Sequence, residues 1–402
     1  MISIDALASG LYTACPTLLK NPFRPFYLVG AVYGPLFMLY WLFTTSGLWV
    51  GPTLTYPTHL FHGHEMIFGF AAAIIAGFVL TALPGWASTK EVHGWPLALL
   101  VSLWLAGRLS LLFASQLSPQ WVMVVDSSLF LVMGAMVAPG LWCARNKAYL
   151  VLLIIFAGLS CGNLLFHTGI MSGDIVRATL GLHIGIYAIM VKFTLVSGYL
   201  TPIFTNNILQ ARDIEEITFH PLIETLAVVS IVAFVVTGLL GQNAIWSGTA
   251  ALLAAVVHSM RLYRWKSREI KKAPVVLVMH LAYAWMILCF TLRAIADFTG
   301  SIPINTWLHA FTVGAMGLMM LGLMTRVVLR HTGRPLKPAK ILVAAYGLML
   351  LAGIARVALC LFGFIPWLQL LSTLLWVAPF VVYLKLHGAM LLQPSLPRKT
   401  LP

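Results

Sequence analysis

The chain has 402 residues, 60% of them hydrophobic and 9% charged, with a mean hydropathy of +0.93. A soluble domain carries roughly a quarter charged residues, so a soluble globular fold is excluded. The formal charge of +14 does not mark a nucleic-acid partner, because the lysines and arginines cluster in short loops between apolar runs, where they orient a protein in a membrane.

Residues 1–25, with Asp5, Lys20 and Arg24, lack the short apolar core and small-residue cleavage site of a secretory signal and read as a cytoplasmic amino-terminal arm. About twenty apolar residues cross the hydrocarbon as helix. Twelve such runs succeed one another, at 26–48, 61–84, 95–115, 121–143, 148–170, 176–200, 221–241, 243–263, 274–297, 305–329, 339–364 and 366–388. The expectation is an all-α polytopic membrane protein, with residues 26–388 as one twelve-helix domain and 389–402 as a cytoplasmic tail. Cys15, Cys143, Cys161, Cys289 and Cys360 form no CxxC or CxxCH pattern, so neither a disulfide framework nor a covalent c-type haem is implied.

Chemistry-bearing residues fall at particular depths in these spans. The second opens on His59, His62, His64 and Glu65; the third carries Arg108, the fourth Asp126, and the fifth ends at His167. The sixth opens near His183 and holds Lys192 deeper in, the ninth ends with Arg293 and Asp297, the tenth opens on His309, and the eleventh carries Arg356. Basic residues at Lys90, Arg145, Lys147, Arg212, Arg261 to Lys272 and Arg330 to Lys340 share one side, whereas the loops near Gly51, Ser118, Gly173, Gln242, Ser301 and Ile365 hold Arg177 and almost no other basic residue. The positive-inside rule then makes both termini cytoplasmic and puts His59, His62, His64, His167, His183 and His309 at one outer level.

Six histidines at one depth point to a shared metal or haem, since imidazole is a poor lipid-facing group and the commonest metal ligand. His62, His64, His167, His183 and His309 are the metal-ligand candidates, with His64, His183 and His309 as haem ligands. His64 and His309, which open helices, are favoured. On a helix His62 and Glu65 share a face while His62 and His64 point nearly opposite ways, so the two histidines serve different centres or an irregular turn holds both. Glu65 is the candidate proton carrier, or the acceptor that orients an imidazole. Arg108, Arg293 and Arg356 are candidates for haem propionates, with simple pairing to Asp126 or Asp297 as the plainer alternative.

The intervals 64 to 183 and 183 to 309 are 119 and 126 residues. LWLAGRLSLLF around Arg108 is echoed by LLAGIARVALCLF around Arg356, with no arginine at the matching place in the seventh span. Three arcs of four helices explain both facts. Such a bundle, with histidines on its second, sixth and tenth spans, looks like the catalytic subunit of haem-copper oxidases, although no tandem histidine pair is present.

The segments FRPFYLVGA from Phe23, HGHEMIFGFAAAIIAGFVLTALPGW from His62, GWPLALLVSLWLAGR from Gly94, and HAFTVGAMGLMMLGLMTRVVLRHTGRPL from His309 closely resemble the NnrS family of bacterial membrane proteins. His62, His64, Glu65, His309, Arg326 and His331 fall on motif positions; Tyr199 and Arg330 depart from the pattern. The resemblance implies haem and copper, nitric oxide or a related small molecule as the partner, resistance to nitrosative stress, and the bacterial inner membrane. It leaves the electron donor unidentified. An oxidoreductase resembling nitric oxide reductase is one reading, a haem-based sensor without turnover another. A twelve-helix secondary transporter using the same buried charges is the alternative from a different class.

Overall fold

The computed structural model describes residues 16–47, 56–241 and 243–397. Most of the expected amino-terminal arm, with Asp5 and Cys15, the loop at Gly51, Gln242 and the end of the tail lie outside them. The described residues contain no strand and twelve helices long and apolar enough to cross a membrane. These are α1 (Phe23–Thr45), α2 (Thr58–Ala87), α3 (Trp95–Leu112), α4 (Pro119–Cys143), α5 (Lys147–Ser172), α6 (Ile175–Gln210), α7 (Pro221–Leu240), α8 (Ala244–Arg264), α9 (Pro274–Thr299), α10 (Thr306–His331), α11 (Lys340–Phe362) and α12 (Pro366–Leu392). The chain is an all-helical, multi-pass membrane protein. Each helix coincides with an expected span. The largest departure is α6, which runs on from the expected end at 200 to Gln210. Asn206 explains the extension: its side chain accepts from Ile217 N at 2.8 Å and donates to Ile217 O at 3.1 Å, clasping the following loop against the added turns.

Most successive helices pack as neighbours, and α12 returns to pack on α1. α2 and α10 lie innermost, with 83% of each span buried against 28% to 61% for the other ten. Both chain ends of the bundle lie on one face, the terminal face; the histidine-rich face is the distal one. The FRPF segment ties the terminal face together. Arg24, almost wholly buried, donates to the carbonyl oxygens of Met390, Leu391 and Gln393 at 3.0, 2.9 and 2.7 Å and to Ser395 Oγ at 2.8 Å. These carbonyls close the last turn of α12 and have no partner within the helix, so one guanidinium satisfies them and joins the first span to the last. α5 and α6 approach backbone to backbone: a Cβ on Gly162 would stand 2.7 Å from Gly181 O, a spacing that only glycine permits.

α2 and α10 depart from α-helical winding at matched places. A π-helical segment runs over Glu65–Ala71 in α2, directly after His64, and over Ala310–Met316 in α10, directly after His309. Such segments are rare and concentrate at functional sites. Each has glycine at its fifth position. A Cβ on Gly69 would lie 2.8 Å from Arg108 Nη1, and one on Gly314 would run into the Trp285 indole. The arginines repeat the correspondence, Arg108 of α3 reaching Glu65 and Arg356 of α11 reaching His309. α6 carries His183 in an unbroken α-helix.

Candidate functional site: a distal cavity and a buried ion cluster

The distal histidines divide between two centres. The first is a cavity of 360 Å³ between α1, α2, α6, α10, α11 and α12, bordered by His59, His62, His183, His309 and Arg356. Its apolar wall includes Trp41 and Trp376. The His62 ring stacks on Trp41 with centroids 4.3 Å apart, and its buried Nδ1 has no hydrogen-bond partner among the described residues. His309 Nε2 accepts from Arg356 Nη2 at 2.9 Å, while its Nδ1 lies 3.4 Å from Cys360 Sγ. His183 stacks on Tyr187, centroids 6.2 Å apart.

His64 faces the other way, into the space between α2, α3, α4 and α5. Its Nδ1 lies 2.7 Å from Glu65 Oε1, and its Nε2 lies 2.8 Å from Asn163 Oδ1 and 3.1 Å from Asp126 Oδ2. Asp126 Oδ2 also accepts from Asn163 Nδ2 at 2.8 Å and stands 2.9 Å from His167 Nε2. Arg108 bridges the two acids, one amino group on Glu65 and the other on Asp126, and Tyr33 donates its hydroxyl to Glu65. His64, Glu65, Asp126, Asn163 and His167 are all buried. Tyr56, just before α2, covers the cluster with its ring nearly perpendicular to that of His167, centroids 6.2 Å apart; burial and then the Asp126 and Glu65 charges push its phenol above the usual range.

Charge counting defines what this cluster can hold. Two carboxylates face one guanidinium, and both ring nitrogens of His64 face oxygen acceptors. One more positive charge completes the set, either as a proton shared with His64 or as a cation between His64, Asp126 and His167. The ligand atoms of those three residues lie within 4.8 Å of one another, the arrangement of a small metal site. Nitrogen and oxygen donors of this kind suit copper or zinc. Glu65, holding the second ring nitrogen of His64, stands where a metal-bound histidine ordinarily keeps its orienting carboxylate.

The candidates from sequence are thus rearranged. Imidazoles from the second, sixth and tenth spans do meet at one cavity, but α2 sends His62 into it and not His64. The physical reason is the opposed directions of the two side chains on one helix, which leaves His64 to the acid cluster. Arg108 is occupied by Glu65 and Asp126, and Arg293 by Asp297 at 2.7 Å, so Arg356 alone of the three arginines lines the cavity. Asn163 went unnoticed in sequence, although it precedes His167 by one helical turn on the same face. Tyr33 and Cys360 carried no distinguishing signal.

A comparison with curated proteins finds no match. The family described as NnrS protein matches residues 17–395, which takes in all twelve helices and both centres. The chain belongs to the NnrS family.

Proposed function

We propose that this protein binds haem in the distal cavity and handles nitric oxide there. Membership of the NnrS family supports a nitric-oxide-related role. The observation that carries the cofactor reading is the cavity's donor set: imidazoles from three helices, the unpartnered Nδ1 of His62 and the guanidinium of Arg356 meet between two indoles. Its 360 Å³ lies within the roughly 300–1,000 Å³ of ordinary ligand pockets. Haem is an apolar plate with a ligand-seeking iron and carboxylates at one edge, and nitrogen, apolar wall and cation are all present for it. Bound there, haem would supply an iron able to bind nitric oxide. His62, His183 and His309 are the residues that hold it. Trp41 fixes the plane of the His62 ring. Arg356, which donates to His309 Nε2 at 2.9 Å, is the cation that would pair with a propionate.

The second metal, copper, belongs on this reading to His64, Asp126 and His167. Glu65 then orients His64 and supplies no proton to the haem cavity, on which it does not open. We place the protein in the bacterial inner membrane with the terminal face cytoplasmic.

The test is the visible spectrum and metal content of the purified protein. A Soret band that is lost or shifted in His62→Ala and His309→Ala is expected, with copper lost in His167→Ala and kept in His62→Ala. Consumption of nitric oxide by the reduced protein in proteoliposomes distinguishes turnover from binding. Binding without consumption makes it a sensor or scavenger. A protein with neither haem nor copper returns the secondary transporter to first place.

A further inference from the structure

Below the distal cavity, toward the terminal face, lies a second and much smaller one of 30 Å³. Met316 borders both, so the two cavities are neighbours across that side chain. The small cavity holds Lys192 of α6, which is 9% exposed and directs its Nζ over the Phe78 ring, 4.8 Å from the centroid. The other lining residues with polar side chains are Tyr27 and Ser197, the latter donating its hydroxyl to Phe193 O, and no carboxylate lines it. A water needs about 10–15 Å³ and polar partners, so the cavity has room for one beside Lys192.

Tyr27 continues the line of polar groups. Its buried hydroxyl has no hydrogen-bond partner among the described residues, and neither has that of Tyr383 on α12. Tyr383 lies within electrostatic reach of Tyr27 and also of Tyr346, which faces Thr325. At the terminal end, His387 stacks on Tyr383 with centroids 4.8 Å apart and faces the Arg334 charge of the adjoining loop. Buried hydroxyls left without partners are costly, and a run of them leading to a buried lysine with no carboxylate beside it calls for an explanation that packing does not give.

We propose that Tyr383, Tyr27 and Lys192, bridged by water, form a proton path from the terminal face to the distal cavity. Hydroxyl and water hand a proton along hydrogen bonds without net movement of heavy atoms, and Lys192 is the last titratable group before Met316. No electron transfer is involved. The destination rests on the reading of the distal cavity as a reaction site; the path itself is tested without any cofactor.

The experiment is exchange of the Lys192 Nζ protons with bulk water, followed by solid-state NMR of the full-length, ¹⁵N-lysine-labelled protein in lipid vesicles, with Lys192→Met assigning the signal. Exchange with water is expected in the parent protein. Tyr27→Phe and Tyr383→Phe should each slow it by about tenfold, the effect on a rate of losing one hydrogen bond. Tyr199→Phe, at a half-exposed position off the path, should leave it unchanged. A Lys192 signal that does not exchange with water overturns the proposal, as does exchange unaffected by both tyrosine substitutions. The phenylalanine variants keep ring volume, and a parent-like thermal melt confirms that each is folded. Loss of haem binding with this exchange pattern intact would overturn the distal-cavity reading alone.

Discussion

At the scale of single residues the ion cluster sets the largest expected effects. Arg108 is the shared partner of two buried carboxylates, Glu65 and Asp126. Arg108→Leu removes both pairings and leaves like charges facing each other, which costs about 3–5 kcal/mol. Arg177 provides the comparison: it pairs with Asp174 at 3.5 Å in a half-exposed setting, and Arg177→Leu should cost less than about 1 kcal/mol. Thermal unfolding of the two variants in the same detergent checks the difference, and equal melting temperatures would contradict the cluster's structural weight. Glu65→Gln is gentler but more specific. Glutamine keeps the shape of Glu65 yet cannot accept from His64, Arg108 and Tyr33 together. Copper affinity should fall roughly 10–100-fold, as when a ligand's orienting carboxylate is removed. The Soret band should not move, because Glu65 does not line the distal cavity. Metal titration and visible spectra of one preparation decide both halves.

The two π-helical segments are the elements on which both centres depend. π winding adds a residue to a turn, so it rotates the side chains on its amino-terminal side relative to those on its carboxy-terminal side. Their matched glycines give separate handles on the two sites. Gly69→Ala presses its new methyl onto Arg108 Nη1, and Gly314→Ala presses on Trp285. Overpacking of this sort costs about 1–3 kcal/mol. The first substitution should deplete copper and spare haem; the second should disturb haem and spare copper. If both variants lose the same cofactor, the two centres are not independent.

On the scale of the whole molecule, an even number of spans puts both ends of the bundle on one face, and the basic loops share it. The Arg261 to Lys272 segment and the Arg330 to Lys340 segment connect helices on that face. A fluorescent protein fused after Gly333 should therefore fold and fluoresce, and alkaline phosphatase fused after Gly173 should be active, since each reporter works on only one side of the membrane. The reverse pattern would place the histidine-rich face in the cytoplasm. It would also reverse the direction of the Lys192 path.

Twelve spans, their order and their all-helical character followed from the sequence, because hydrocarbon leaves a backbone no other way to satisfy its polar groups within one segment. The level of the six distal histidines was legible for the same reason: depth along a helix is counted in residues. So was the divergence of His62 from His64, which about 100° per residue dictates. Which neighbour each side chain meets was a different matter. Asp126 was placed at the right depth as a charge needing a partner, but its junction with His64, Asn163 and His167 arises from the packing of three helices. The same holds for His62, which faces a cavity made by six helices, and for Arg24, whose partners lie at the other end of the chain. The π segments were invisible for a further reason: their sequences are as apolar as the α-helix around them, and only packing against Arg108 and Trp285 reveals why glycine stands at the fifth position of each. Periodicity carries a residue's depth and direction on its own helix; its partners are decided by how the helices assemble.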